Sequence, residues 1–278
     1  MDNKIIELQK IATDIRLGAV EAVFNGKSGH PGGALSSADI LACLYFSEMN
    51  VDPQNPTDPD RDRFVLSKGH SCPGLYAALA CKGYFDKKEL KSFRHLGSVM
   101  QGHPDMKAIC GVDMSAGSLG QGFSAACGMA LAAKINGKDY RTYVLVGDGE
   151  SQEGQIWEAT MFAAHYKLDN LCLIIDNNGL QIDGKVADVM NTMPYDTKFA
   201  AFGWNVISVD GHNIEEILSA FDAAKTVKGK PTVIIAKTVK GKGVSFMEDQ
   251  AGWHGKAPNA EQYEQAVKEL EDYKNELK

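Results

Sequence analysis

The sequence predicts an α/β fold in which a doubly wound, mostly parallel sheet carries helices on both faces. Short apolar runs rich in β-branched residues, at 143–146 and 171–175, are typical of buried strands. Between them, apolar residues over 156–164 recur at helical spacing. A strand, a helix and a strand in succession form a β-α-β unit, which needs parallel strands. With 278 residues and neither an internal repeat nor a clear linker, we expect one domain spanning 1–278.

The remaining elements follow from the same patterns. Helical spacing predicts helices at 4–24, from Ser36 or Ser37 to 49, 74–82, 120–135, 213–224 and 259–276. Buried strands are expected at 63–67, 205–209 and 232–239, and irregular loops at 26–33, 50–63, 97–117 and 182–194.

Helix starts are indicated by capping residues. Asp86 with Glu89, Asn213 with Glu216, and Asn259 with Gln262 all have the spacing of a capping box. They predict a further helix after Asp86 and a polar helix at the C-terminal end.

Composition narrows the classes of function. The 29 basic and 36 acidic residues give a net charge of −7, and no basic stripe is present, which argues against a nucleic-acid partner. No apolar run reaches membrane-spanning length, and residues 1–10 do not resemble a signal peptide. The six cysteines form no C-x-x-C pair and lie mostly in apolar surroundings, so we expect reduced, buried thiols and a cytoplasmic location.

Two strand ends carry oxygen ligands. Asp148 lies in Gly-Asp-Gly after the first strand of the β-α-β unit, and Asn178 follows the second strand. Open α/β sheets bind ligands at the carboxyl ends of their strands, and Mg²⁺ prefers such oxygens. Asp-Gly and Asn-Gly are also ordinary turn sequences, but their pairing across one unit favours a metal site. Gly149 would let backbone N–H groups approach a diphosphate.

Four of the seven histidines lie in loops rich in glycine or proline: His30, His70, His103 and His254. Three of these loops are expected to follow strands at the same edge as Asp148. A cluster of imidazoles suits proton transfer near neutral pH and hydrogen bonds to hydroxyls. A zinc site is the alternative, against which the wide spacing of the histidines and the lack of H-E-x-x-H argue.

Two further stretches are ambiguous. Residues 117–122, GSLGQG, form a glycine-rich entry to a helix but lack the spacing of a dinucleotide fingerprint. They fit a cofactor-binding turn or a tight packing turn equally well. Lys240, in a Gly-Lys loop after a strand, is a candidate phosphate partner or a solvated lysine.

Taken together, these motifs resemble the N-terminal part of transketolase, the region that binds the diphosphate of thiamine diphosphate. The matching pieces run in family order over residues 10–258: SGHPGGALSSADIL, RFVLSKGH, GHPD, GSLGQG, GDGESQEGQIWEA, IIDNNGLQIDG, KTVKGKG and WHGKAP.

The resemblance implies a role for each motif residue. Asp148, Asn178 and the Leu180 carbonyl would hold Mg²⁺ or Ca²⁺. Thiamine diphosphate would be contacted by His70, Gly117, Ser118, Leu119, Gly149, Asn178, Lys240 and His254. His30, His103 and His254 would face the sugar. Glu153 resembles the glutamate that links the subunit interface to the pyrimidine side of the cofactor. Gly33 and Ser118 differ from a serine and a proline found in some relatives.

The resemblance also implies a partner. Complete transketolases continue with a pyrimidine-binding domain and a C-terminal domain, so we expect a split enzyme whose second chain supplies them in an α2β2 heterotetramer. The implied activity is transfer of a two-carbon ketol unit between sugar phosphates, as in the pentose phosphate pathway. The alternatives are an α-type subunit of a thiamine-dependent 2-oxo acid dehydrogenase and a non-catalytic binder of thiamine diphosphate.

Overall fold

A five-stranded sheet lies at the centre of the computed structural model, which describes residues 3–277. The strands are β1 (Arg63–Leu66), β2 (Thr142–Gly147), β3 (Leu171–Asn177), β6 (Asn205–Asp210) and β7 (Thr232–Lys237). Their order is β1-β2-β3-β7-β6, and every neighbouring pair is parallel. A separate antiparallel hairpin joins β4 (Leu180–Gln181) to β5 (Gly184–Lys185).

Ten α-helices are described over residues 3–277. They are α1 (Asn3–Asn25), α2 (Pro31–Ser36), α3 (Ala38–Cys43), α4 (Cys72–Lys82), α5 (Gln121–Ile135), α6 (Gly154–His165), α7 (Val186–Val189), α8 (Tyr195–Ala201), α9 (Ile214–Thr226) and α10 (Ala260–Glu276). Short 3₁₀ turns occupy Gly69–Ser71, Lys87–Ser92, Glu150–Gln152 and Ala251–Trp253, and a π-helical turn occupies Leu44–Glu48.

Successive side chains of the strands enter two different cores. In β2, Tyr143 and Leu145 pack in one core with α1, α3, α4 and α9. Val144 and Val146 pack in the other core with α5, α6 and α8. Because both faces are covered, the strands read as continuous apolar runs. The predicted fold class, with helices on both faces of a parallel sheet, is confirmed.

A third apolar cluster lies beside the N-terminal helix. Val20 of α1 and Leu270 of α10 meet Trp253 in this cluster. The predicted capping box begins α10: Gln262 N–H donates to Asn259 Oδ1 over 2.8 Å, and Asn259 N–H donates to Gln262 Oε1 over 3.0 Å. The chain after β7 is thereby packed back against the helical layer.

The helix expected from Ser36 or Ser37 to 49 is wrong in its start and its continuity. The chain becomes helical at Pro31, whose fixed φ suits the first turn of a helix. Neither serine caps a helix with its side chain: the Ser37 hydroxyl donates to the Gly33 carbonyl over 2.7 Å, and the Ser36 hydroxyl donates to Asp176 Oδ2 over 2.7 Å. The local Ser37 bond competes with the regular helix and accompanies the break at Ser37.

Three other boundaries differ from expectation. Asp86 begins only a 3₁₀ turn, in which it accepts a hydrogen bond from Lys88 N–H. The predicted loop 182–194 contains β5 and α7, and β7 ends at Lys237. Helix α8 was not predicted, because its seven residues, with Tyr195 and Phe199 buried, give too short a periodic pattern.

The cysteines differ in exposure. All six are free thiols; four are buried, Cys81 is half-buried and Cys110 is exposed, so the expectation of burial is wrong for Cys110. Over residues 3–277, every helix falls short of the length and apolarity that crossing a membrane would need.

Candidate active site

A cavity of about 370 Å³ opens at the carboxyl ends of β1, β2, β3 and β7. The residues that follow these strands converge there because all four strands are parallel. The wall is formed by His30, Gly33, Lys68, His70, Ser71, Gly117, Leu119, Gly147, Asp148, Gly149, Glu150, Gln152, Glu153, Asp176, Asn178, Leu180, Gln181, Ile182, Lys240 and His254.

Asp148 is a buried carboxylate directly after β2, with 2% of its surface exposed. Its two oxygens accept hydrogen bonds from the main-chain N–H groups of Gly149, over 2.8 Å, and Gly179. Burial and the nearby charge of Asp176 raise the pKa of Asp148 to about 6, although those two hydrogen bonds oppose the shift. A cation in the cavity would stabilise the ionised form.

Asn178 and Leu180 bring two more oxygens to the same wall. Asn178 Oδ1 accepts from Leu180 N–H over 3.1 Å, and the Leu180 carbonyl accepts from Lys240 Nζ over 3.0 Å. One carboxylate, one amide oxygen and one carbonyl fit a hard cation that also takes phosphate and water ligands. Residues 3–277 contain no cluster of three or more His, Cys, Asp and Glu side chains suited to a metal.

Lys240 supplies a buried cation, with 3% of its surface exposed. Its stem packs on Gly32, where an added Cβ would lie 3.0 Å from Lys240 Cγ. Burial lowers the pKa of Lys240 to about 8, an effect that Asp148 and Asp176 oppose. An anionic group in the cavity would compensate for this desolvation.

Three imidazoles form a compact cluster. The ring centroids are 5.0 Å apart for His30 and His70, 5.4 Å for His30 and His254, and 5.2 Å for His70 and His254. Burial lowers the pKa of His30 to about 4, with a smaller contribution from the Arg94 charge. Burial also lowers the pKa of His254 to about 3, with a smaller contribution from the Lys240 charge. All three rings are therefore neutral near pH 7, because burial strongly lowers the pKa of His70 as well.

Two of these rings have unused polar atoms. Nδ1 of His30 and Nδ1 of His254 are buried and have no hydrogen-bond partner. Buried polar atoms normally find partners, so these atoms indicate a ligand in the cavity.

The structure separates two predicted site residues from the cavity wall. Ser118 is exposed beside Gly117 and Leu119, which do line the wall. His103 is exposed at the rim, where an added Cβ on Gly117 would lie 3.6 Å from His103 Cδ2. The expectation that three histidine loops follow strands is wrong in detail: His30 lies between α1 and α2, and His103 lies in the loop after α4.

Sequence reasoning missed the ion pair beneath the cavity. Lys68 Nζ lies 2.6 Å from Asp176 Oδ2, and both side chains are at most 3% exposed. Asp176 also accepts from Ser36 Oγ over 2.7 Å, from Thr238 Oγ1, and from Asn178 Nδ2 over 3.2 Å. Burial alone would raise the pKa of Asp176, but the Lys68 charge and the hydrogen bonds from Lys68, Thr238 and Ser36 together lower it. The sequence signal for this ion pair was one charged residue just after β1 and another near the end of β3.

Glu150 is a second buried carboxylate that was missed. One of its oxygens accepts from Ser67 Oγ and from Gly120 N–H over 2.8 Å, and the other accepts from Gly147 N–H over 3.0 Å. These bonds join the ends of β1 and β2 to the glycine-rich turn before α5. Glu150 therefore fixes the turn that contains Gly117 and Leu119.

His212, to which sequence reasoning gave no role, bridges two layers. Its Nδ1 lies 2.7 Å from Asp39 Oδ2, and its Nε2 accepts from Val239 N–H over 2.8 Å. The ring is consequently protonated on Nδ1. It holds the peptide next to Lys240 against the buried Arg16–Asp39 pair.

Comparisons with known proteins agree with this geometry. A family model described as transketolase, thiamine diphosphate binding domain, matches residues 7–275. The chain is 48% identical over 271 residues to the 6-deoxy-6-sulfo-D-fructose transketolase subunit SqwG of Clostridium sp. (strain MSTE9), covering 98% of each chain. It is 44% identical over 272 residues to an apulose-4-phosphate transketolase subunit from Phocaeicola vulgatus, covering 98% of this chain and 96% of that relative.

Longer relatives match over only part of their length. Human transketolase is 44% identical over 269 residues, which are 96% of this chain and 42% of the human protein. The crystal structure of transketolase from Campylobacter jejuni superposes with a TM-score of 0.90 at 37% identity, over 98% of this chain and 43% of that one.

Proposed function

Because the chain belongs to the transketolase family through its thiamine diphosphate-binding domain, we propose that it is one subunit of a split transketolase. It transfers a two-carbon ketol unit from a ketose donor to an aldose acceptor. The observation that carries this proposal is a single cavity that joins a candidate cation and diphosphate site to a cluster of neutral histidines.

The residues present fit the cofactor. Asp148, Asn178 and the Leu180 carbonyl would hold Mg²⁺ or Ca²⁺ against the diphosphate, which Lys240, His70 and Gly149 would also contact. His254, Asn178 and the 117–119 turn, with Ser118 at its exposed side, complete the proposed contacts, and Glu153 would meet the pyrimidine side at the subunit interface. Thiamine diphosphate supplies the electron sink for breaking and forming the carbon–carbon bond.

The histidines of this chain handle the protons of the sugar. His30 and His254 are neutral near pH 7, and each has a buried, unpartnered Nδ1. A neutral imidazole accepts a proton from a hydroxyl and returns it to a carbonyl oxygen. His103 at the rim would bind the donor's C1 hydroxyl.

A complementary chain would complete the site. Two relatives are named transketolase subunits, and this chain covers almost their full length. We propose that a second chain supplies the pyrimidine-binding and C-terminal domains in an α2β2 assembly, with residues 1–278 as one diphosphate-binding domain. We also propose a cytoplasmic location and carbohydrate metabolism of the pentose phosphate type.

The substrate class follows from the relatives' names. One acts on 6-deoxy-6-sulfo-D-fructose and another on apulose 4-phosphate, both of which end in an anionic group. We propose that the donors of this chain are likewise ketoses that carry a terminal phosphate or sulfonate. The resemblance to transketolases favours this activity over 2-oxo acid dehydrogenation, and the sugar-facing histidines disfavour a non-catalytic binder.

The decisive assay offers both donor classes to the chain reconstituted with its complementary chain, thiamine diphosphate and Mg²⁺. Ketol transfer to an aldose without decarboxylation of 2-oxo acids is expected. In the same assembly His254→Ala should lose most turnover and keep its fold, while Asp148→Asn should lose the Mg²⁺-dependent part of cofactor binding. Decarboxylation of 2-oxo acids without ketol transfer would overturn the proposal.

A further inference from the structure

Ser71 has a buried hydroxyl that the fold leaves without a partner. The residue is 1% exposed, its Oγ has no hydrogen-bond partner, and it lines the candidate cavity. It stands at the N-cap position of α4, where a serine usually caps the helix, yet its side chain makes no capping bond. Because a buried hydroxyl without a partner is costly, a ligand in the cavity is the natural partner.

The backbone opposite Ser71 is shaped around this hydroxyl. A Cβ added to Gly33 would lie 2.6 Å from Ser71 Oγ and 3.6 Å from Lys68 Nζ. A side chain at position 33 would therefore force the Ser71 hydroxyl to rotate out of its present position. Gly33 leaves the space that the Ser71 hydroxyl uses.

The surroundings of the hydroxyl indicate which ligand atom it meets. His70 is its neighbour in the chain, and Lys240 and Lys68 line the same cavity. The N-terminus of α4, an 11-residue helix, adds a positive dipole end at Ser71. Lys68 is paired with Asp176, so Lys240 and the helix N-terminus are the positive groups that suit an anionic oxygen beside this hydroxyl donor.

We propose that Ser71 binds the cofactor by donating its hydroxyl hydrogen bond to a diphosphate oxygen, with Gly33 required to make room for it. This inference rests on the proposed function, because it takes thiamine diphosphate as the ligand. It assigns to this chain a binding residue that the sequence motifs do not mark.

The test compares three variants with the wild type: Ser71→Ala, Gly33→Ser and the double variant. Each is reconstituted with the complementary chain and titrated with thiamine diphosphate and Mg²⁺ by calorimetry, and the thermal unfolding of each ligand-free chain is measured. Ser71→Ala should weaken affinity about tenfold without lowering thermal stability, since the hydroxyl it removes is unsatisfied. Inorganic pyrophosphate should lose affinity by a similar factor.

The Gly33 variants show whether the location of the hydroxyl matters. Gly33→Ser alone should bind the cofactor no more tightly than the wild type, because its Cβ moves the Ser71 hydroxyl out of its present position. Gly33→Ser with Ser71→Ala removes that contact and restores a hydroxyl to the same space, so it should recover most of the affinity that Ser71→Ala loses. Tighter binding by Gly33→Ser alone than by the wild type would show that both hydroxyls fit together and would contradict the inference.

Separate outcomes distinguish this inference from the proposed function. If the wild type binds the cofactor and Ser71→Ala binds it equally well, Ser71 has no binding role and the proposed function stands. If Ser71→Ala loses stability but not affinity, the role of Ser71 is structural and the inference is overturned. If the wild type binds neither thiamine diphosphate nor pyrophosphate, both proposals are overturned.

Discussion

Lys68 and Asp176 form an ion pair beneath the candidate cavity, with 2.6 Å between Nζ and Oδ2 and almost no solvent exposure of either side chain. The pair connects the end of β1 to the end of β3, and Asp176 in turn holds Asn178. It therefore links the stability of the sheet edge to the position of a proposed metal ligand.

Removing one member of this pair should destabilise the fold strongly. Lys68→Met leaves a buried carboxylate without its cation, so the free energy of unfolding should fall by about 3 kcal/mol in urea denaturation. Lys268→Met is the matched control, because Lys268 pairs with Asp272 on the exposed face of α10. Adding Asp176→Leu to Lys68→Met should recover part of the loss. Equal effects of the two single lysine variants would contradict the account.

His212 should act on cofactor affinity through Val239. His212→Gln can still accept the Val239 N–H bond near the Nε2 position, whereas His212→Asn can only replace the Nδ1 contact with Asp39. The asparagine variant should bind thiamine diphosphate about fivefold more weakly than the glutamine variant, reflecting one lost hydrogen bond beside Lys240. Calorimetry on both reconstituted variants measures this ratio. Tighter binding by the asparagine variant would show that Asp39 is the contact that matters.

Two glycines of α5 should respond oppositely to alanine. At Gly122 an added Cβ would lie 2.7 Å from the Cα of Ser67, so Gly122→Ala should cost about 2 kcal/mol through overpacking. At Gly128 nothing lies within 4 Å, and Gly128→Ala should stabilise the helix by about 0.5 kcal/mol. Urea denaturation of the two variants compares them directly. Equal changes in the free energy of unfolding for the two variants would contradict the packing of α5 against the end of β1.

The histidine cluster should make the fold sensitive to acid. Burial lowers the pKa of His30 to about 4 and that of His254 to about 3, so between these values and 6.5 the unfolded chain binds more protons than the folded chain. Stability from these groups is present above pH 6.5 and is lost as the pH falls through that window. Urea denaturation between pH 7 and 4.5 should show a shallower decline for His70→Gln than for the wild type. Exposed His165→Gln is the control, and a slope unchanged in His70→Gln would contradict the buried cluster.

The parallel sheet and the convergence of Asp148, Asn178, His70 and Lys240 were predictable, because continuous apolar runs mark buried strands and polar residues mark their ends. The gathering of His30 and His254 near His70 was also expected, but the pairwise packing of the three rings was not predictable, since loops of irregular backbone carry them. Ser71, Asp176 and Glu150 escaped sequence reasoning because burial and hydrogen bonding, rather than spacing, define their roles. The break at Ser37 accompanies a hydroxyl bond from Ser37 to Gly33, which helical spacing does not reveal.

The central claim is that this chain forms one half of a ketol-transferring site. The most direct measurement is the rate of two-carbon transfer from a ketose phosphate or sulfonate to an aldose acceptor, with thiamine diphosphate and Mg²⁺ present. We predict no turnover from this chain alone, none from the complementary chain alone, and full turnover when the two are combined. Full turnover from this chain alone would contradict the split site, and the absence of turnover from the combined chains would contradict the activity.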